Sequence, residues 1–446
     1  MKISISGIRG IYGCSDLSLY EIIKYGRLFA QSLVGRGKSC IIGRDTRPSS
    51  AIIAETVTAA LMLEGVEVHD LNIAPTPMVF RESRRYYGGC IVTASHNPLE
   101  WNGLKFVLEG RGIFENELQN MLNYTMTKDK KKTSDFGESY QTVSNYVDEV
   151  VEITKASRDP TKHIKVGLDP GGGATCGFVN ILFKNLGHRF YSINDTYGMS
   201  SRGTDPTIDG LNDLADLVVT NGLDFGFAFD LDGDRLVAVD KTGGKLTPDT
   251  TLLLCVASAL NLGMKKFVTS IDTSISIEKF AKSHGPASVR FDFSKVGESN
   301  VVSKMLEVEA DAGGEGSSAG FIMPKFNMCR DGFLASAIIS SLDPTLINDC
   351  VEFGRHYAQI RTKIALHSDQ HRNVIEKLID ILKRDSSEIL TIDGIKAIID
   401  DDSWALVRPS NTEHAIRVSV ESRASETQVL YQKIVDKVRS IHDEFK

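Results

Sequence analysis

Several things are missing from this chain, and each absence closes a class of function. No two of its seven cysteines, at 14, 40, 90, 176, 255, 329 and 350, form a CxxC pair. An odd, scattered set builds no disulfide framework and fits a reducing cytoplasm. There is no excess of base: the formal net charge is -7 and the isoelectric point about 5.9. That argues against a broad nucleic-acid surface while leaving room for local basic pockets that hold small anions. No apolar run is fit to span a bilayer, since the richest, 252–264, is short and interrupted. The opening Met1-Lys2-Ile3-Ser4-Ile5-Ser6 alternates like a strand and holds no signal-peptide core. Low-complexity segments are absent too, which excludes a disordered binding protein.

What is present is a repeated grammar. The 446 residues exceed one core, so about three or four domains are expected. Three segments read strand, polar turn, amphipathic helix, glycine, strand. In the first, a strand over 40–42 leads into Gly43-Arg44-Asp45-Thr46-Arg47-Pro48, and a helix from 49 ends at Gly65. The second runs from 165 through Asp169-Pro170-Gly171-Gly172-Gly173 to a helix ending at Gly187. The third runs from 267 through Asp272-Thr273-Ser274 to a helix ending at Gly285. Each is a βαβ signature, with the glycine expected as a left-handed helix cap. Three such units imply three related α/β domains. The charged stretch 127–134 reads as a linker or surface loop, and a further boundary is expected near Lys241-Thr242-Gly243-Gly244. After about residue 355 the pattern changes to a helix over 370–384, strands over 397–399, 405–407 and 415–420, and a last helix over 425–442: a small α+β domain.

Four polar loops carry the chemistry. Thr93-Ala94-Ser95-His96-Asn97-Pro98 follows the apolar run 90–92 and delivers the Ser95 hydroxyl at the end of a buried strand. Asp230-Leu231-Asp232-Gly233-Asp234-Arg235 puts three carboxylates at alternate positions behind the apolar run 225–229. Two charges about 4 Å apart repel by about 4 kcal/mol at an effective dielectric of about 20. A hard divalent cation removes that cost, and oxygen ligands favour Mg²⁺ or Ca²⁺. An EF-hand does not fit, because Arg235 and Lys241 stand where its glycine and glutamate belong. Gly313-Gly314-Glu315-Gly316-Ser317-Ser318-Ala319-Gly320 matches the GxSxG pattern, but a strand-like run rather than a helix follows, against a nucleophile elbow. It reads instead as a flexible loop offering Glu315, Ser317 and Ser318 to a polyhydroxyl ligand. Arg408-Pro409-Ser410-Asn411-Thr412-Glu413-His414, with Arg417, is a nest for a phosphate that is held without reacting.

These four loops, in this order, resemble the α-D-phosphohexomutase family of phosphoglucomutases, phosphomannomutases and phosphoglucosamine mutases. The likeness extends over nearly the whole chain and is strongest to archaeal-type members. Ser6-Gly7-Ile8-Arg9-Gly10 and Asn102-Gly103-Leu104-Lys105-Phe106 also look like family segments. The resemblance implies an α/β chain of three related domains with mixed sheets plus a C-terminal α+β domain, around a central active-site cleft. The expected limits are 1–140, 141–245, 246–355 and 356–446, each contributing one chemical loop. It also implies an isomerase-class enzyme that moves a phosphoryl group between the 6- and 1-positions of a hexose phosphate. Ser95 would carry the phosphate, one Mg²⁺ would sit among Ser95, Asp230, Asp232 and Asp234, and a hexose 1,6-bisphosphate would be intermediate and activator. Arg9 and Arg235 would stabilise the transferring group, and Lys105 would move the proton. Glu298, Glu315 and Ser317 would read the sugar, while Arg408, Ser410, Asn411, Thr412 and Arg417 grip the other phosphate. His96 is assigned an orienting role at most.

The departures bear on the sugar. Ala319 stands where common bacterial patterns have histidine, and His414 where proline is usual. Glu298 is an acid, as in the glucosamine branch, and leans the reading to glucosamine phosphate over mannose or glucose phosphate. A non-catalytic phosphosugar-binding protein is the reading from another class. A cytoplasmic monomer or homodimer without nucleic-acid or membrane partners is expected.

Overall fold

The computed structural model describes residues 1–13, 16–124, 135–156, 163–365, 371–409 and 414–443. The expected linker at 127–134 and the loop residues Ser410, Asn411 and Thr412 lie outside the described residues.

One four-strand plan is used three times. In the first unit Ser39–Arg44 pairs in parallel with both Glu67–Ile73 and Gly88–Val92, and Trp101–Leu108 returns antiparallel to Gly88–Val92. In the second, Lys165–Asp169 lies between Arg189–Ser192 and Phe225–Phe229, all parallel, with Leu236–Asp240 antiparallel. In the third, Lys266–Ser270 lies between Arg290–Ser294 and Ala312–Glu315, with Gly320–Ile322 antiparallel. A helix joins the first strand to the second in each case: Ser50–Leu63, Phe178–Asn185 and Ile275–His284. The mixed sheets therefore share one topology. The first sheet is extended by Lys2–Ser4 and Gly7–Ile11 at one edge and Ser139–Gln141 at the other.

This plan explains where the chemistry sits. The serine loop, the aspartate loop and the glycine-rich loop are the same hairpin, from the third strand to the antiparallel fourth, in successive units. The third strands are buried along their whole length, so each hairpin leaves the core at a fixed point.

The fourth unit differs. Its sheet is antiparallel throughout, in the order Tyr357–Ala365, Ala415–Arg423, Ser403–Pro409, Ile395–Asp400, Glu388–Leu390. Helices His371–Leu382 and Thr427–Asp443 supply apolar residues to its separate core. The first three units share a larger core, in which Tyr146, Phe227, Phe229 and Phe333 are buried together. Among the described residues no helix is long and apolar enough to cross a membrane.

One expected cap fails. Gly65 and Gly187 take the left-handed conformation at φ 79° and 71°, but Gly285 is extended at φ -92°, ψ 175°. Pro286 follows it and disfavours helical geometry in the residue before. Glycine is still required there, because a Cβ would lie 2.6 Å from the carbonyl oxygen of Ala281.

Candidate active site

The serine hairpin is held by buried hydrogen bonds. Ser95 is buried and left-handed at φ 51°, a conformation disfavoured outside glycine that must be held by its surroundings. Its backbone N–H donates to Thr93 Oγ1 at 2.7 Å. Below the loop lies a residue that sequence reasoning left unused. Arg47 is fully buried and donates to the carbonyl oxygens of Ser95, Asn97, Pro98 and Trp101. Asp45 holds Arg47 Nε at 3.0 Å and accepts from Thr93 and Ser50. The only hint in the sequence was a charged Arg44-Asp45-Thr46-Arg47 turn after a core strand. The Ser95 hydroxyl is thus left free to face the second unit.

There it meets the aspartates. Ser95 Oγ donates to Asp230 Oδ2 at 2.9 Å. Asp232 Oδ2 accepts from Thr76 Oγ1 at 2.7 Å, and Asp234 Oδ2 from Arg330 at 2.8 Å. One ligand oxygen from each aspartate falls within 4.8 Å of the others. Asp232 Oδ1 and Asp234 Oδ1 are buried with no hydrogen-bond partner among the described residues. Burial, then Asp232 and Asp234, lifts Asp230 well above the usual carboxylate range, and burial with Asp234 lifts Asp232. Burial would also raise Asp234, but Arg330, Lys105 and Arg235 together outweigh it and hold that carboxyl low. Orphaned, mutually repelling carboxylate oxygens are the donor set a hard divalent cation takes.

Cations ring this hairpin. Arg235 Nε is 4.0 Å from Asp230 Oδ2 and from Asp234 Oδ1, and its NH1 is 3.4 Å from Asp205. Arg9, on Gly7–Ile11, reaches Asn97 of the serine loop at 3.3 Å. Lys105 Nζ lies 3.5 Å from Asp234 and 3.1 Å from Glu298. Burial opposes its charge, but Glu298 and Asp234 prevail and keep it an ammonium. His96 Nδ1 is 3.3 Å from Ser95 Oγ. Burial, then Arg235, pushes the His96 imidazole down to about 3, so it is neutral.

The glycine-rich loop corrects an expectation. Glu315 is not displayed on a flexible loop: it ends the buried strand Ala312–Glu315. Its Oε1 accepts from the Gly297 N–H at 2.7 Å. A Cβ on Gly313 would lie 1.8 Å from the carbonyl oxygen of Val268, and one on Gly314 1.9 Å from that of Gly320. These glycines permit close strand packing rather than motion. Gly316–Ser318 is a short 3₁₀ turn followed by a strand, not the helix a nucleophile elbow needs.

All four units border one cleft of about 460 Å³, lined by Arg9, Lys105, Arg235, Glu298, Glu315, Ser317, Arg408 and Arg417 among others. Lys363 faces Arg417 across one strand pair, and Arg408 faces Arg417 across the next, so three cations cross the fourth sheet in a row. Asp393 Oδ2 lies 3.6 Å from Arg408 NH1, and the row of like charges favours a bound anion. Lys363 and Arg361, also in the lining, were missed from sequence because their strand carried no recognised signal.

The sequence matches the four parts of one family. These are phosphoglucomutase/phosphomannomutase alpha/beta/alpha domains I, II and III over residues 1–133, 144–244 and 247–343, and the C-terminal domain over 364–438. It is 30% identical to a phosphoglucosamine/phosphogalactosamine mutase of Sulfurisphaera tokodaii, over 94% of each chain. To a probable phosphoglucosamine mutase of Pyrococcus abyssi it is 31% identical, again over 94% of each. The fold superposes with a TM-score of 0.81 on a family protein from Burkholderia thailandensis, at 24% identity over 99% of this chain and 98% of that one. The N-acetylphosphoglucosamine mutase of Aspergillus fumigatus, solved with GlcNAc-6P and magnesium, aligns at a TM-score of 0.56 and 13% identity, over 92% of this chain and 85% of the other. Four matched domains and relatives aligned nearly end to end establish that this chain belongs to the phosphoglucomutase/phosphomannomutase family, the α-D-phosphohexomutases.

Proposed function

We propose that this chain interconverts hexose 6-phosphate and hexose 1-phosphate through a phosphoryl group carried on Ser95, with glucosamine phosphate as preferred substrate. One observation carries the reading: the Ser95 hydroxyl bonds Asp230 beside two orphaned carboxylates, in a cleft whose far wall is a row of cations. One end is built for transfer and the other for retention. The working domain limits are 1–140, 141–245, 246–355 and 356–446.

Asp230, Asp232 and Asp234 would hold one Mg²⁺, which when bound supplies charge neutralisation for a phosphate on Ser95. The chain's own groups do the rest. Arg9 and Arg235 bind the oxygens of the group in transfer, while the Ser95 Oγ–P bond breaks and a bond to the sugar hydroxyl forms. Lys105, a buried ammonium, would give its proton to Ser95 Oγ as the Oγ–P bond breaks and recover one from the attacking sugar hydroxyl. Glu298, Glu315 and Ser317 orient the sugar. Arg408, Ser410, Asn411, Thr412 and Arg417 retain the second phosphate, and the 1,6-bisphosphate formed turns end for end before returning a phosphoryl group to Ser95. Enclosing the substrate among the four units would exclude water and so protect a phosphoserine from hydrolysis. The buried free thiols at the six described cysteines suit a cytoplasmic enzyme.

The amino sugar is supported by the acid at Glu298 and by the names of the archaeal relatives. One observation favours neutral hexoses: both oxygens of Glu298 already face cations, Lys105 and Arg330. A panel of glucosamine, glucose and mannose 6-phosphates, with Mg²⁺ and a trace of hexose 1,6-bisphosphate, tests the reading. Interconversion fastest with glucosamine phosphate is expected, and interconversion of none would leave a binding protein.

A further inference from the structure

The metal hairpin and the sugar-reading elements are tied together by a side chain to which the chemistry above gives no role. Arg330 stands two residues before the helix Gly332–Ile339 and is 9% exposed. Three of its nitrogens face three carboxylates on three separate elements. NH2 donates to Asp234 Oδ2 at 2.8 Å, NH1 to Glu315 Oε2 at 3.3 Å, and Nε lies 3.3 Å from Glu298 Oε2. The Arg330 backbone N–H donates to that same Glu298 oxygen at 3.1 Å. Room for the side chain is built in: a Cβ on Gly320 would sit 2.2 Å from Arg330 Cδ. The last glycine of the GxSxG pattern is therefore a seat for Arg330.

The guanidinium is planar and its donors point in fixed directions. The fork bonds Asp234 and Glu315, while Glu298 is held by the Arg330 backbone N–H and lies at ion-pair distance from Nε, which makes no hydrogen bond of its own among the described residues. Glu315 is held at its other oxygen by the Gly297 N–H, and Glu298 by Lys105. With Oδ2 of Asp234 taken by Arg330, Oδ1 is the oxygen left over.

We infer that Arg330 is a positioning residue that aligns the sugar-reading carboxylates Glu298 and Glu315 with the metal hairpin, and so sets the preference among sugar phosphates. The inference rests on the proposed mutase reading for the identity of the sugars. A lysine keeps the charge but loses the fork, so charge and orientation can be separated. The sugar preference depends on the fork. Metal binding does not depend on the fork, because Arg330 makes no bond to Asp230, Asp232 or Oδ1 of Asp234.

The test uses the full chain and measures binding rather than turnover. Calorimetry of wild type, Arg330→Lys and Arg330→Met is run with Mn²⁺ alone, then with glucosamine, glucose and mannose 6-phosphates. Circular dichroism and thermal unfolding check the fold. Wild type is expected to prefer one sugar phosphate. Both variants are expected to lose that preference on the order of ten-fold, while Mn²⁺ binds each as tightly as wild type. Wild-type preference in Arg330→Lys would show that charge alone suffices and would overturn the inference. Loss of Mn²⁺ binding in a folded variant would also overturn it, making Arg330 a scaffold for the metal. If Arg330→Met does not fold, Arg330→Lys decides alone. A wild type that binds the sugars but turns none over would sink the mutase reading and leave this comparison valid.

Discussion

A single buried side chain braces the loop that presents Ser95. Arg47 gives its guanidinium to three backbone carbonyls of the serine loop and to that of Trp101, and among the described residues its ion-pair partner is Asp45. Arg47→Met leaves Asp45 buried without its counter-charge, though still hydrogen-bonded by Thr93 and Ser50, a change that costs about 3 kcal/mol. Thermal unfolding should show that loss, with turnover falling further than stability alone explains. A variant with wild-type melting and activity would mean that the loop holds itself. The residues proposed to carry the chemistry stood out in the sequence because their types are unusual in context: a hydroxyl after a buried strand, and three aspartates after an apolar one. Arg47 and Arg330 were not legible. Their importance lies in partners that are distant in sequence, and an isolated arginine in a polar turn reads like any solvated charge.

At the scale of elements, the repeated grammar was readable and its consequence was not. Periodicity located the first-to-second strand crossovers in all three units. It did not show that the three chemical loops are one hairpin used three times, because that follows from the antiparallel fourth strands: Trp101–Leu108, Leu236–Asp240 and Gly320–Ile322. The strands Tyr357–Ala365 and Glu388–Leu390 of the last sheet also went unread; the first alternates exposed polar with half-buried apolar residues and borders a helix. The glycine-rich loop was read as flexible because glycine permits motion, but here it permits contact. Gly314→Ala tests the difference. Gly314 has φ 152°, and the new Cβ would fall 1.9 Å from the Gly320 carbonyl oxygen. Overpacking of this kind costs about 1 to 3 kcal/mol, so a lower melting temperature and a displaced Glu315 are expected. An unchanged melting temperature would restore the flexible reading.

The whole molecule depends on how the fourth unit seats against the third. Glu421, 1% exposed, accepts from Ser274 Oγ, the Ile275 N–H at 2.9 Å and Trp404 Nε1. It thus joins the last sheet to the start of the helix Ile275–His284. Lys396, 5% exposed, donates to the Ile271 carbonyl oxygen at 2.7 Å and lies over the Trp404 ring. Burial is the largest influence on Glu421 and lifts it from 4.5 to about 7. The folded state therefore binds a proton that the unfolded chain has released between those values. Stability from this group is full below about 4.5 and is lost as pH rises through about 7. Burial pushes Lys396 down to about 8, so it stays protonated over that interval. Melting temperature followed from about pH 5 to about pH 7.5 should fall in wild type relative to Glu421→Gln. Parallel curves would contradict the assignment. The cleft itself was legible as a set of motifs, but not the row formed by Lys363, Arg417 and Arg408, which exists only through strand register.

The central claim is that Ser95 carries the phosphoryl group between the two positions of the sugar. The most direct measurement labels the protein with a hexose bisphosphate bearing radioactive phosphate, maps the label by peptide mass spectrometry, and chases it with unlabelled glucosamine 6-phosphate. The account predicts one label per chain on Ser95, full transfer to sugar in the chase, and no label in Ser95→Ala, whose fold is intact. Label on any other residue, or label on Ser95 that the sugar cannot remove, would contradict it.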